Sequence, residues 1–222
     1  MGPGSKWKPR VPRLEGHWLE KERRLLKLPL EQKTIVVFGG RHPVDGDLEY
    51  AEAFRLGSLL ATAKYAVMSG GYSGVMEAVS RGAMEAGGTT IGVTMEIFGN
   101  LAPNPFLTRE IRSRNFFERL EILTSSASGF VAMRGGMGTL TELSLIWNML
   151  QTKTMEYKPT ILVGKFWRPL LESVADHLVI SREELDLFHY VGSAGEAVAC
   201  LDHCLSNTAT KVAGWPDESV PE

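Results

Sequence analysis

The chain has 222 residues, 44% hydrophobic and 23% charged, which is enough apolar material for one substantial core and too much for a disordered protein. Its formal net charge of −2 gives no global basic field to hold a nucleic-acid polymer, so an anionic ligand has to be drawn by local charges. No stretch approaches the roughly 20 apolar residues of a membrane span, the beginning of the chain lacks a signal-peptide apolar core, and the two cysteines suit a reducing compartment. The expectation is a cytoplasmic chain with neither membrane nor nucleic acid as partner.

Residues 1–33 read as a basic N-terminal extension with a short helix after Pro9 and Pro12, its Trp7, Trp18, Leu25, Leu26 and Leu28 packed on the chain's own domain or on a partner subunit. From Thr34 the pattern alternates. The β-branched run Thr34–Phe38 predicts a strand and the stretch from Asp47 to Ala63 a helix. Further strands are expected at Tyr65–Met68, Thr89–Val93, Gly129–Met133 and Thr160–Val163, each followed by a helix except Thr89–Val93, which leads into a long loop over Thr94–Thr108. Cys200 and Cys204 lie four apart in a segment that reads as helix. The tail 207–222, with Pro216 and Pro221, is expected to fray. Strands alternating with helices over 34–206 predict a single α/β domain: a doubly wound, Rossmann-like parallel sheet with helices on both faces.

Glycines gather where such a sheet binds its ligands, at the carboxyl ends of the strands. Three turns carry them: Gly39-Gly40, Gly70-Gly71-Tyr72-Ser73-Gly74, and Gly135-Gly136-Met137-Gly138-Thr139. The second and third lead directly into helices, whose free first-turn N–H groups and positive end form an anion site, with phosphate the natural guest. Neither G-x-G-x-x-G with an acidic residue about 20 positions on nor G-x-x-x-x-G-K-[ST] is present, which argues against a dehydrogenase and a nucleoside triphosphatase.

Glu142 sits just inside the helix that follows the third turn. Thr139-Leu-Thr-Glu142 is also a capping-box pattern, as are Ser181-Arg-Glu-Glu184 and Ser193-Ala-Gly-Glu196, so Glu142 has two readings, a cap or a carboxylate facing the ligand. Its place beside the glycine turn raises the second. Arg109, Arg112, Arg114 and Arg119 crowd one segment, and one or two of them are expected to serve an anionic ligand. The histidines are scattered and no paired C-x-x-C or H-E-x-x-H appears, so no metal site is expected.

The string Arg134-Gly135-Gly136-Met137-Gly138-Thr139-Leu140-Thr141-Glu142 matches P-G-G-x-G-T-x-x-E at every position but the first. Upstream, Ser69-Gly70-Gly71-Tyr72-Ser73-Gly74-Val75-Met76 is similar to S-G-G-G-x-G-L-M. On these residues the chain resembles the LONELY GUY family, long labelled lysine decarboxylase-like, although nothing in it marks a pyridoxal phosphate site. The resemblance implies hydrolysis of the N-glycosidic bond of nucleoside 5′-monophosphates, cytokinin riboside phosphates among them, to free base and ribose 5-phosphate, with neither metal nor organic cofactor. It further implies a homodimer, Glu142 and Arg119 as the catalytic pair with Arg114 in reserve, and the 5′-phosphate on the amides of Gly135 to Thr139. Three positions depart from the family pattern: Leu120 stands where Lys is usual, Arg134 where proline is, and Tyr72 where the second turn usually has its third glycine. The run Gly74 to Ala83 also looks like the molybdenum-cofactor carrier branch of the same superfamily, which implies, as the alternative, a protein that binds without hydrolysing.

Overall fold

In the computed structural model, residues 32–98 and 101–206 are described. The expected basic extension, apart from Gln32 and Lys33, and the expected tail lie outside the described residues. Short, mainly apolar runs bounded by glycine or proline form strands buried along their whole length: β1 (Thr34–Phe38), β2 (Ala66–Ser69), β3 (Thr90–Met95), β5 (Gly129–Ala132) and β6 (Thr160–Val163). Two edge strands complete the sheet, β4 (Arg109–Ser113) and β7 (His189–Val191). All pairings are parallel and the order is β4-β3-β2-β1-β5-β6-β7.

Among the described residues, six α-helices cover the sheet: α1 (Leu48–Thr62), α2 (Val75–Glu85), α3 (Phe116–Ser126), α4 (Met137–Gln151), α5 (Trp167–His177) and α6 (Ala194–Ser206). Alternate residues of β1 face opposite cores. Val36 and Phe38 meet Leu123 of α3, Leu143, Ile146 and Leu150 of α4 and Leu171 of α5, while Ile35 and Val37 meet Leu56 and Leu60 of α1, Val79 of α2 and Leu201 of α6. Each fully buried aliphatic side chain of this kind contributes about 1.5–3 kcal/mol, which makes two cores of this size the main support of the sheet. Helices α1 and α2 approach backbone to backbone: a Cβ at Gly57 would lie 2.0 Å from the Val79 carbonyl oxygen and one at Gly82 1.9 Å from that of Phe54.

Two strands were not read from the sequence, and one expectation needs correction. Arg109–Ser113 is a strand, not merely an arginine-bearing segment. Its alternating burial is disguised by charges on the outward face, as suits an edge. β7 is three residues long, too short to leave a periodic signal. The expected loop over Thr94–Thr108 begins later, because β3 continues through Thr94 and Met95 and a 3-10 turn follows at Glu96–Phe98. The far end of this connection is tied down. The Asn104 amide donates to the Gly71 carbonyl at 2.8 Å, and the amides of Thr90 and Thr108 each donate to the other's hydroxyl at 2.9 and 2.8 Å.

Candidate active site

The chain winds outward from β1 through β2 and β3 to β4, then returns to place β5 on the other side of β1, with Phe38 paired to Ala132. The carboxyl ends of β1 and β5 therefore flank the switch point, where a doubly wound sheet opens a crevice. Here the glycine turns pack into one cluster. The Gly40 amide donates to the Arg134 carbonyl at 2.9 Å, and the Gly40 carbonyl accepts from the Val75 amide at 2.8 Å, so the first turn braces the other two. Side chains would not fit between them. A Cβ at Gly39 would lie 2.3 Å from Val75 Cγ1, one at Gly74 2.3 Å from the Gly40 carbonyl oxygen, and one at Gly40 3.3 Å from Gly135 Cα. Gly74 also has φ +76°, in the left-handed region where a side chain is strained.

The turns differ in what they leave open. Gly70, Gly71 and Gly74 are buried, and the Gly71 carbonyl is taken by Asn104. Gly135, Gly136, Met137 and Gly138 are exposed, and a Cβ at Gly136 or Gly138 would meet nothing within 4 Å. Helix α4 starts at Met137 with Gly136 as its N-cap and no side-chain cap hydrogen bond. The amides of Met137, Gly138 and Thr139 have no acceptor within the helix and point with its positive end into open space, the arrangement that receives a phosphate. Thr139 itself is buried beneath Gly135, whose added Cβ would stand 2.1 Å from Thr139 Oγ1.

That placement decides between the two readings of Glu142. Thr139 is the third residue of α4 and not its N-cap, so Glu142 is no part of a capping box there. At α6 the same pattern does cap: Ser193 Oγ accepts from the Glu196 amide at 3.3 Å and Glu196 accepts from the Gly192 amide at 2.8 Å. Glu142 instead points inward, with its Oε1 3.4 Å from Arg119 Nη1, a long contact between two side chains only 10% and 9% exposed. Arg119 rises from α3, whose N-cap Asn115 accepts from the Glu118 amide, and its Nε donates to the Val93 carbonyl at 2.8 Å. Room for the guanidinium comes from Gly70, where a Cβ would fall 1.9 Å from Arg119 Nη2. Burial drives the Glu142 carboxyl up to about 7, and the neighbouring Arg119 only partly offsets this. A buried carboxyl raised to about 7, beside a fixed cation and one helical turn from a helix start with open amides, is suited to proton transfer.

The model of the family described as "Possible lysine decarboxylase", the label borne by the LONELY GUY proteins, matches residues 76–201, more than half of the chain. The chain belongs to this family. The cytokinin riboside 5′-monophosphate phosphoribohydrolase of Rhodococcoides fascians is 29% identical over 155 residues, 67% of this chain and 76% of that protein. The protein of the same name from Mycobacterium marinum is 28% identical over 178 residues, 75% of this chain and 92% of its own length. Among solved structures, the molybdenum cofactor carrier protein of Chlamydomonas reinhardtii superposes with a TM-score of 0.61 at 27% identity, covering 79% of this chain and 99% of the carrier.

The positions at which the chain departs from the LONELY GUY pattern now have places. Leu120 is buried in the core beside Arg119. Arg134 turns outward to Glu49, Nη1 to Oε1 at 3.0 Å, with its guanidinium 5.8 Å from the Phe166 ring centre. Tyr72 is buried and its hydroxyl accepts from the Met95 amide at 2.8 Å, while Asn104 Nδ2 donates to the Tyr72 carbonyl at 3.2 Å. The larger residue in the second turn thus anchors the connection after β3. Arg114, the reserve arginine, is exposed and paired with Glu118 at 3.0 Å, and Arg119 is the arginine brought to Glu142.

Sequence reasoning missed two features. Asn104 ties the loop to the second turn from a position that carries no motif. His189, Cys200 and Cys204 converge within 4.8 Å of one another; the thiols at i and i+4 on one helix face were a partial signal, but nothing local places the histidine against them.

Proposed function

We propose that this chain hydrolyses the N-glycosidic bond of nucleoside 5′-monophosphates, cytokinin riboside 5′-monophosphate among them, releasing free base and ribose 5-phosphate. The observation that carries the reading is the buried Arg119–Glu142 pair, set one helical turn beneath the open amides at the start of α4. Gly138 and Glu142 are four residues apart and share a helix face about 6 Å apart along the axis, so a phosphate seated on the amides hangs its ribose toward the carboxyl. Leaving of the base builds positive charge at the anomeric carbon, which the Glu142 carboxylate stabilises. The same carboxylate takes a proton from the water that forms the new C1′–O bond as the C1′–N bond breaks; the base leaves with a proton from solvent, and Glu142 returns its own to solvent. The Arg119 guanidinium, held by Val93 and Glu142, keeps the carboxyl partly ionised and presents its remaining donors to the ligand. No cofactor takes part. The two relatives named as phosphoribohydrolases support this substrate class. The working form is a homodimer, for which the exposed Phe117 and Met137, at the starts of α3 and α4, offer apolar surface.

A second reading, a carrier that binds a phosphorylated ligand without cleaving it, is favoured by the likeness to the Chlamydomonas reinhardtii carrier protein along nearly all of that chain. One experiment separates the two. The protein is incubated with AMP, GMP, CMP, IMP and N6-isopentenyl-AMP, and released base is quantified by chromatography, with Glu142→Gln in parallel. Base release that Glu142→Gln abolishes supports the hydrolase. Calorimetric binding of nucleotide or molybdopterin with no release by the wild type overturns it in favour of the carrier.

A further inference from the structure

The cluster missed in the sequence lies at the opposite edge of the sheet from Glu142. His189 is the first residue of β7, and Tyr157 stands just before β6. Helix α6 brings its later half back to this amino-terminal edge, where Asp202 accepts from the Tyr65 hydroxyl at 2.6 Å and the Leu205 carbonyl accepts from Lys33 Nζ at 2.7 Å. Cys200 and Cys204, one turn apart on that half, face β7. The Cys204 sulfur is 3.6 Å from His189 Nε2, and the same nitrogen is 2.9 Å from the Tyr157 hydroxyl. Both cysteines are free thiols, and all three candidate ligands are half-buried.

We propose that His189, Cys200 and Cys204 form a metal site of the zinc class, with two thiolates and one imidazole as protein ligands and water as the fourth. The donor set is soft sulfur with borderline nitrogen, which selects zinc-like ions over magnesium or calcium. Zinc–sulfur bonds of about 2.3 Å place tetrahedral ligands about 3.8 Å apart, so a cluster now within 4.8 Å closes by about 1 Å through side-chain rotation. Charge decides the valence. A dication with two thiolates is neutral, the state a half-buried site tolerates, whereas a monovalent ion would leave a net negative charge there. An imidazole is mostly neutral at pH 7 and able to coordinate. Cysteine thiols ordinarily carry their protons at pH 7, so both sulfurs hold them until an ion displaces them. Binding therefore follows Zn²⁺ + 2 RSH → Zn(SR)₂ + 2 H⁺, and it clamps the three-residue edge strand β7 to α6.

The test uses the whole chain, reduced and stripped with a chelator, titrated with Co²⁺ and then with Zn²⁺. The result expected is one Co²⁺ bound with a thiolate-to-cobalt charge-transfer absorption, bleached by one equivalent of Zn²⁺, with about two protons released per Zn²⁺ in calorimetry across buffers of different ionisation enthalpy. Because Cys200 and Cys204 are the chain's only cysteines, the charge-transfer band can arise nowhere else. Cys200→Ser combined with Cys204→Ser, checked for an unchanged metal-free melting temperature, should lose the band, and His189→Gln should weaken Zn²⁺ binding at least tenfold. Glu142→Gln should bind the ion as wild type does. Absence of the band in the folded wild-type chain, or Zn²⁺ binding that survives in the double serine variant, overturns the proposal.

Discussion

Replacing Glu142 by Gln removes a carboxyl whose ionisation the fold opposes, and its effect on stability should depend on pH in a calculable way. Burial raises this group from 4.5 to about 7. At about 1.4 kcal/mol for each tenfold change in proton affinity, full ionisation of Glu142 costs the native state about 3 kcal/mol. The native chain holds this proton to higher pH than the unfolded chain does, so the wild type loses that stability as pH rises from 4.5 to about 7, with no further loss above. The Gln variant has no such loss. Gln beside Arg119 carries its own cost from the unneutralised guanidinium, but that cost does not titrate over this range and cancels in the comparison. Urea denaturation of both proteins from about pH 5 to about pH 8 should therefore show the variant gaining on the wild type by about 2.5 kcal/mol, most of it below pH 7. Parallel stability curves would refute the desolvated, near-neutral carboxyl and with it the mechanism. The activity profile tests the same group, because kcat/KM should rise through about pH 7 if the ionised carboxylate is the working form.

Arg119→Lys should lower base release by a factor on the order of 10² or more, since an ammonium cannot bridge the Val93 carbonyl and Glu142 as the guanidinium does. Arg119→Ala should in addition move the rising limb of kcat/KM to higher pH, because Arg119 is the charge that holds the Glu142 carboxyl down. Gly70→Ala puts a methyl where Arg119 Nη2 now lies, so it should cost activity more than melting temperature. Gly135→Ala should destabilise by about 1–3 kcal/mol through its clash with Thr139, whereas Gly136→Ala, in open space, should stay within about 1 kcal/mol; equal effects in denaturation would count against the described turn. Ribose 5-phosphate should shift the amide NMR signals of Gly136 to Thr139 while leaving those of Gly71 and Gly74 nearly unmoved, because the second turn is buried.

Much of this protein was legible before its structure. Runs such as Thr34–Phe38 and Thr160–Val163 show their state locally, because strands buried on both faces must be apolar and β-branched along their whole length. The glycine turns announced the carboxyl edge of the sheet, and the motif ending in Glu142 named the carboxylate. β4 escaped because its outward face is charged, and β7 because three residues carry no period.

What the sequence by itself determined was therefore the set of elements and the residue types at their junctions, properties that depend on neighbours along the chain. Only the tertiary structure decided which junctions leave their amides open. The second turn is spent on clearing space for Arg119 and anchoring a loop, and the third opens its amides. Arg114 and Arg119 look alike in sequence, yet one sits at the surface with Glu118 and the other is buried against Glu142. Burial likewise made Glu142 a near-neutral acid, and the return of α6 to the sheet's amino edge brought two cysteines to a histidine. Desolvation and long-range proximity belong to the packed fold, because both are set by residues distant in the chain that meet only when the helices close over the sheet.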